Sequence, residues 1–389
     1  MRRPAARGRD MHACDVLIVG GGPAGSTLAW KLREQGMDVL VLDKNAFPRD
    51  KVCAGWITLA VVELLKLDRE DYSRGRVLQE ISGFRTGIIG GDAIVTRYGR
   101  TVSYGIRRAE FDHYLLLRSG ARLRLGEPLR SMERRNGAWI VNGAVRTPLV
   151  IGAGGHFCPV ARWLRGNGQR SEPAVIAQEA EVELDDAGQR ASAVEADTPE
   201  LYFCEDLKGY GWAVRKGTYL NIGLGREDTR DIAGHVRSFV GYLRERKRIP
   251  ENVPAAFRGH AYALYRGASQ SLVDDGLLLI GDAAGLAHPK SGEGIRPAVE
   301  SAATAANVIL AAAGDYRRSA LASYPARLAV RFGPDGPAPG MVPQPVRRFV
   351  SRWLMKNRWF VRHVLLDRWF LNVRASGQGG HGGTRGIPS

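Results

Sequence analysis

The sequence predicts an α/β fold in which a parallel, helix-flanked sheet is joined to a second, antiparallel sheet and followed by C-terminal helices. Three observations carry this. Residues 15–44 read as strand, glycine-rich turn, helix, strand; residues 277–280 are an apolar run that ends in another glycine-rich turn before a long helix; and residues 77–105 and 174–225 alternate apolar with polar. At 389 residues the chain is long enough for two domains sharing a large core.

In the first unit, residues 15–19 form a β-branched apolar run. The turn Gly20-Gly21-Gly22-Pro23-Ala24-Gly25 matches G-x-G-x-x-G, and the helix after it can end at Gly36 before the run 39–42. Gly20 permits the tight turn, Gly22 leaves room for a pyrophosphate, and Gly25 lets helix and strand pack closely. The helix that follows aims its unpaired N–H groups and positive dipole end at the phosphates. Asp43, with Lys44 beside it, closes the second strand 18 residues after Gly25, near the spacing of about 20 expected for a ribose-binding carboxylate. Its charge repels a 2′-phosphate, so FAD or NAD fits better than NADP.

The next segment, residues 47–56, carries Arg49, Lys51, Cys53 and Gly55 close behind the nucleotide acid and is placed to reach along the cofactor; an apolar helical stretch around 57–67 follows. Residues 77–105 read as strands on a first visit to the second sheet. Residues 104–115 hold a helix start whose arginine can return to the cofactor phosphates or ribityl chain. Short strands over 122–150, with a turn at Arg135-Asn136-Gly137, lead to the strand 149–151 and a second glycine cluster at 152–158. Over 174–225 the alternation resumes, placing Tyr210 and Trp212 on one sheet face as a possible cavity wall; residues 232–248 follow as an amphipathic helix.

The run 277–280 ends in Gly281-Asp282-Ala283-Ala284-Gly285. Gly292-Glu293-Gly294-Ile295 and an Ala-rich helix over 297–313 follow. An acid at such a strand tip can accept from a ribityl hydroxyl, and a glycine-flanked helix start can face the electron-rich edge of a reduced flavin. NAD requires neither, which shifts the nucleotide to FAD.

Taken together, G-G-G-P-A-G at 20–25, Asp43, F-P-R-D-K-V-C-A-G at 47–55, R-x-x-F-D at 108–112, G-D-A-A-G at 281–285 and G-E-G-I at 292–295 resemble the geranylgeranyl reductase family. The resemblance covers residues 14–313. It implies a Rossmann-like FAD-binding domain with an antiparallel-sheet substrate domain, the p-hydroxybenzoate hydroxylase-like architecture. The domains expected are 12–75, 105–170 and 270–315 for FAD, 76–104 and 171–269 for substrate, 316–375 as a C-terminal helical region, and disordered tails at 1–11 and 376–389. It also implies roles. Gly20, Gly22, Gly25, Asp43 and Lys44 hold the ADP part, Arg108 contacts the cofactor, Asp282 takes the ribityl chain, and Gly294-Ile295 back the pyrimidine edge. Pro23, Ala24, Gly55, Gly281 and Gly292 complete the cofactor set. Cys53 lies near flavin and substrate, and Tyr210 and Trp212 take the Y-x-W-x-F-P wall position. These three are the candidate catalytic residues. Val214 and Arg215 replace the Phe-Pro, Ala54 the first glycine of C-G-G, and Gly154-Gly155-His156 part of an A-D-G-x-x-S pattern.

Composition narrows the class. The charged fraction of 25% and apolar fraction of 44% are those of a globular protein. Cys14, Cys53, Cys158 and Cys204 make no C-x-x-C pair and no metal-ligand spacing, which points to free thiols in a reducing, cytoplasmic compartment and to no metal. Much of the net charge of +16 sits at the ends: residues 1–10 hold four Arg and one Asp, residues 341–389 nine Lys/Arg and one Asp. A basic groove for nucleic acid is therefore not expected. After a Pro/Gly-rich linker over 334–345, residues 346–374 combine an apolar helical stripe with arginines. This suits either a lid or peripheral docking on the inner face of a membrane.

The expected function is FAD-dependent reduction of carbon–carbon double bonds in an isoprenoid or lipid-like substrate, with NAD(P)H or an electron carrier docking transiently as reductant. The alternatives are an FAD monooxygenase working through a flavin hydroperoxide and a non-catalytic flavin-binding protein.

Overall fold

Val16–Val19 is buried along its whole length and pairs in parallel with Val39–Asp43 on one side and Leu149–Gly152 on the other. Uninterrupted apolar runs are what strands covered on both faces require. The sheet continues to Arg122–Leu125 beyond Val39–Asp43 and to Leu277–Leu279 beyond Leu149–Gly152, and it ends in the antiparallel strand Val273–Asp274. The two glycine-rich turns are thereby brought to the same end of one six-stranded sheet. The structure, a computed structural model, describes residues 11–166, 174–228, 231–253, 256–265, 271–333 and 353–371.

The helices that follow these two turns, Pro23–Arg33 and Ile295–Ala311, pack on each other. Buried Ala298, Ala302, Ala305 and Ala306 give the second a small-residue face that joins the core formed by Val16–Val19 and its neighbours. At the expected turn, Asn136 and Gly137 both take left-handed backbone (φ 48° and 75°), and Met132–Arg135 folds back on Ala138–Val141.

The second layer is a seven-stranded sheet ordered Arg258–Ala263, Ala174–Glu183, Tyr219–Arg226, Gly209–Lys216, Glu200–Phe203, Gly83–Ile88, Ala93–Arg97. Every pairing is antiparallel except Glu200–Phe203 with Gly83–Ile88. One face packs Leu220, Ile222 and Leu224 under Phe239 and Leu243 of the helix Ile232–Glu245. The other packs Phe84, Leu201, Trp212 and Val214 against Val361, Leu365, Leu366 and Phe370.

Two local expectations are corrected. The stretch around 57–67 opens as a strand, Trp56–Thr58, and becomes helical only over Leu59–Leu64. Here Ile57 and Thr58 are β-branched and find Ser103–Ile106 as a strand partner. Residues 77–105 do not all join the second sheet: Leu78–Ile81 and Ser103–Ile106 build a separate three-stranded sheet with Trp56–Thr58. The linker over 334–345, the tail 376–389 and all but Met11 of 1–11 lie outside the described residues. Among the described residues no helix is long and apolar enough to cross a membrane.

Candidate active site

A cavity of about 570 Å³ opens where the carboxyl ends of the parallel strands meet one face of the seven-stranded sheet. Open α/β sheets offer ligands this position. Gly20, Gly22, Pro23, Ala24, Asp43, Lys44, Cys53, Arg108, Tyr210, Trp212, Asp282, Gly292, Gly294 and Ile295 all line it. Gly25, Gly55 and Gly281 do not; they sit behind the wall. A Cβ at Gly25 would stand 1.9 Å from the Gly20 carbonyl oxygen, one at Gly281 would stand 3.0 Å from the Ala24 Cβ, and one at Gly55 would stand 2.3 Å from the Ile106 carbonyl oxygen. Their part is close packing of the elements that carry the lining residues.

At the nucleotide end, a Cβ at Gly20 (φ +118°) would stand 2.4 Å from the Ala153 carbonyl oxygen, so the two glycine clusters touch. Gly22 caps the helix without any side-chain hydrogen bond, leaving its first amides open to the cavity. Asp43 is buried; its Oδ2 accepts the Gly21 N–H at 2.8 Å and its Oδ1 the Asn45 N–H at 2.9 Å. A carboxylate has about four acceptor positions, so both oxygens retain capacity for ribose hydroxyls. Arg108 is buried and donates from Nε and Nη2 to Asp112 at 2.8 Å each, while Arg49 approaches the same carboxylate at 3.3 Å. Burial opposes the Arg108 charge, but the Asp112 carboxylate more than offsets it, and the pKa rises.

At the other end, the Gly281 N–H donates to Ser301 Oγ at 3.0 Å and fixes the turn that presents Asp282. The helix Ile295–Ala311 begins at Gly294, again with no side-chain cap. These features suit a flavin dinucleotide: two uncapped helix starts facing one cavity, a buried carboxylate with spare lone pairs, and glycines where a side chain would block approach.

The wall near Cys53 is different in kind. The Tyr210 hydroxyl donates to the Ser291 carbonyl at 2.6 Å, and burial pushes its phenol well above the ordinary range. The Trp212 Nε1–H donates to Asn221 Oδ1 at 2.7 Å. With their polar tips engaged by protein, both rings are left as apolar surface, joined in the lining by Trp56, Leu201 and Phe370. Half-buried Cys53 accepts from the Gly55 N–H at 3.4 Å and faces the Arg108 guanidinium.

Lys51, expected to reach along the cofactor, does line the cavity, beside His260, which was not singled out from sequence. Lys51 Nζ lies 3.0 Å from His260 Nδ1, and His260 Nε2 lies 3.9 Å from Asp282 Oδ2. Burial pushes the Lys51 ammonium down to about 8, against the pull of Asp282. Burial likewise lowers His260, with Asp282 opposing and Lys51 adding to the effect. Glu293, between the two glycines of G-E-G-I, is pushed up to about 7 by burial despite Arg296. Phe370 comes from the C-terminal segment, and His260 from a strand with no motif; only the pairing of Ala177 with His260 brings that ring to the cavity.

Comparison with known proteins agrees with this architecture. Residues 18–49 match the family model for an NAD(P)-binding Rossmann-like domain. Menaquinone reductase of Mycobacterium tuberculosis is 30% identical over 347 residues, covering 82% of this chain and 81% of that protein. The chain belongs to the geranylgeranyl reductase family. Digeranylgeranylglycerophospholipid reductase of Methanothrix thermoacetophila is 29% identical over 341 residues, covering 81% of this chain and 82% of that protein. In fold, a geranylgeranyl bacteriochlorophyll reductase-like protein of Thermoplasma acidophilum superposes with a TM-score of 0.67 at 23% identity, over 89% of this chain and 88% of that one. This member of the geranylgeranyl reductase family is an oxidoreductase, as its motifs implied. Its departures from the Y-x-W-x-F-P pattern fall outside the cavity. Val214 is buried in the cluster behind Trp212, and Arg215 turns to the other face, donating to Gln189 Oε1 at 3.1 Å. Ala54, Gly154, Gly155 and His156, by contrast, do line the cavity.

Proposed function

We propose that the chain binds FAD and reduces carbon–carbon double bonds of an isoprenoid or other lipid-like substrate, with NAD(P)H or an electron carrier as transient reductant. The observation that supports this best is the single cavity running from the glycine fingerprint and Asp43 to an apolar wall of Trp56, Tyr210, Trp212 and Phe370. The division into an FAD-binding part, a substrate sheet and a C-terminal cover belongs to the same reading.

The chain's own groups divide the work. Asp43 takes ribose hydroxyls, and the open amides after Gly22 take phosphate oxygens. Asp282, held by its turn, takes the ribityl chain, and the uncapped helix start at Gly294 supplies positive potential where negative charge accumulates. When bound and reduced, the flavin supplies a hydride. Tyr210, Trp212 and Phe370 exclude water around an apolar chain. The second alkene carbon then needs a proton. Tyr210 holds its own too tightly, whereas Lys51, at about 8, can release one near neutrality and recover it from water next to His260. Cys53 is the competing donor, which Cys53→Ser separates from Lys51→Met.

A lipid-like substrate must arrive from somewhere. Val361 and Leu365 cover the sheet and Phe370 reaches the cavity, while Trp353 and Trp359 stand 62% and 65% exposed among exposed Lys356, Arg358, Arg362 and Arg368. We read the outer face as a peripheral contact with an anionic bilayer.

The test is anaerobic incubation of flavin-loaded protein with a reductant and a polyisoprenoid lipid extract, followed by mass spectrometry. A gain of two hydrogens per reduced bond is expected; a product that needs oxygen and gains one oxygen atom overturns the reading.

A further inference from the structure

Lys216 is a buried cation that the chemistry above does not use. Its side chain is entirely unexposed. By strand alternation it lies on the same face of Gly209–Lys216 as Tyr210 and Trp212. It threads between two glycines of the neighbouring layer: a Cβ at Gly105 would stand 2.9 Å from its Cγ, and one at Gly55 2.4 Å from its Nζ. The ammonium pairs with Glu181 and donates to the Ala54 carbonyl at 3.2 Å. Glu181 is shared with Arg107 Nε at 3.0 Å; burial pushes its carboxyl up, and Lys216 and Arg107 together draw it below its ordinary value.

Asn221, on the adjacent strand, makes the matching contacts. Its Oδ1 accepts the Trp212 indole N–H at 2.7 Å, while its Nδ2 donates to the Cys53 carbonyl at 3.3 Å and to Glu179 Oε2 at 3.2 Å. Two consecutive carbonyls of the cavity loop, those of Cys53 and Ala54, are thus held by side chains rising from the substrate sheet. One amide group ties that loop to the aromatic wall opposite.

We propose that Lys216 and Asn221 are positioning residues that pin the Cys53–Ala54 loop to the Trp212 wall and so set the width of the cavity available to substrate. The inference rests on the reading that this part of the cavity takes the substrate. Its physical premise, a pinned loop, does not depend on the reaction. Glycine at 105 fits it, since a Cβ there would press on the lysine chain, whereas at 55 the left-handed backbone and the Ile106 carbonyl oxygen already call for glycine.

The test uses the flavin-loaded full chain with Lys216→Met and Asn221→Leu, each close in size to the residue it replaces. Cys14, Cys158 and Cys204 are buried, so iodoacetamide reports on Cys53, with Cys53→Ser as the blank. Loss of one such hydrogen bond changes loop opening roughly fivefold, and loss of one that leaves a buried partner unpaired changes it more. Both variants should keep a cooperative melt and bind flavin within about twofold of the parent, while Cys53 labels about fivefold to tenfold faster. With an apolar alkene substrate, KM should rise by more than kcat falls. Parental labelling rates in folded variants overturn the proposal, and so does failure of both variants to fold, which would make the network a general requirement of the fold. If labelling accelerates but no double bond is reduced by any form of the protein, the pinned loop stands and the reductase reading falls.

Discussion

Replacing Lys51 with Met should stabilise the flavin-free protein and impair the enzyme. The Lys51 proton affinity falls from 10.5 to about 8 chiefly because the ammonium is buried, with Arg108 and Arg49 adding to the effect and Asp282 opposing it. That difference corresponds to about 3 kcal/mol at neutral pH, a ceiling on what the folded chain gives up by holding this cation. The sign follows from the direction of the shift. Below pH 8 both folded and unfolded chains are protonated at Lys51 and the full cost is present. Between pH 8 and 10.5 the folded chain has released the proton while the unfolded chain retains it, so the cost fades. Above 10.5 it is gone. Urea unfolding of the apo forms at fixed steps from pH 6 to 10 is the assay. The Met variant should be more stable by up to about 3 kcal/mol at pH 6–7, with the two curves converging at the alkaline end. Turnover by the flavin-loaded variant should drop about a hundredfold, the usual contribution of a positioned acid. A stability difference that is absent at pH 7, or that does not change with pH, refutes the account of Lys51 as a desolvated cation.

Asp43→Asn keeps the size of the side chain and removes the charge-assisted acceptance of ribose hydroxyls; flavin affinity, read by fluorescence quenching, should weaken about tenfold to a hundredfold. Gly25→Ala places a Cβ 1.9 Å from the Gly20 carbonyl oxygen, backbone that cannot yield, so soluble expression should collapse or the melting temperature fall by about 4 °C or more (about 3 kcal/mol or more). Replacing both Trp353 and Trp359 with Ser should halve or abolish flotation with anionic liposomes and leave the melting temperature unchanged, since both rings are exposed. Flotation equal to the parent's removes the C-terminal face from the membrane reading.

The two strand tips were legible because each is local: a short apolar run, glycines at fixed offsets and an acid compress a complete strand–turn–helix into fewer than about 30 residues. Asn136-Gly137 was legible for the same reason, since its backbone needs are met by those two residues alone. What stayed hidden arises between distant segments. His260 reaches the cavity only through its register opposite Ala177, and no property of residues 256–265 announces that pairing. Phe370 arrives from a segment that reads equally well as lid or membrane helix, because amphipathicity states that one face is covered without naming the cover. The structure places Val361, Leu365 and Phe370 against the sheet and leaves Trp353 and Trp359 outside, so one face is a cover and the proposed membrane contact concerns the other face alone.

The departures from the family pattern can be ordered by the same geometry. Along Gly209–Lys216 alternate side chains share a face, so Tyr210, Trp212, Val214 and Lys216 form one row that begins at the cavity and ends beneath the Cys53 loop. Val214 lies between Trp212 and Lys216 in that row, does not line the cavity, and belongs to the buried cluster under the C-terminal segment, on which a larger ring would press. Ala54 lines the cavity, and its carbonyl is the one that Lys216 holds. A change of residue at 214 therefore acts on packing, whereas a change at 54 acts on the cavity itself. Ala54→Gly should alter which alkene chains are accepted, and Val214→Phe should alter stability first.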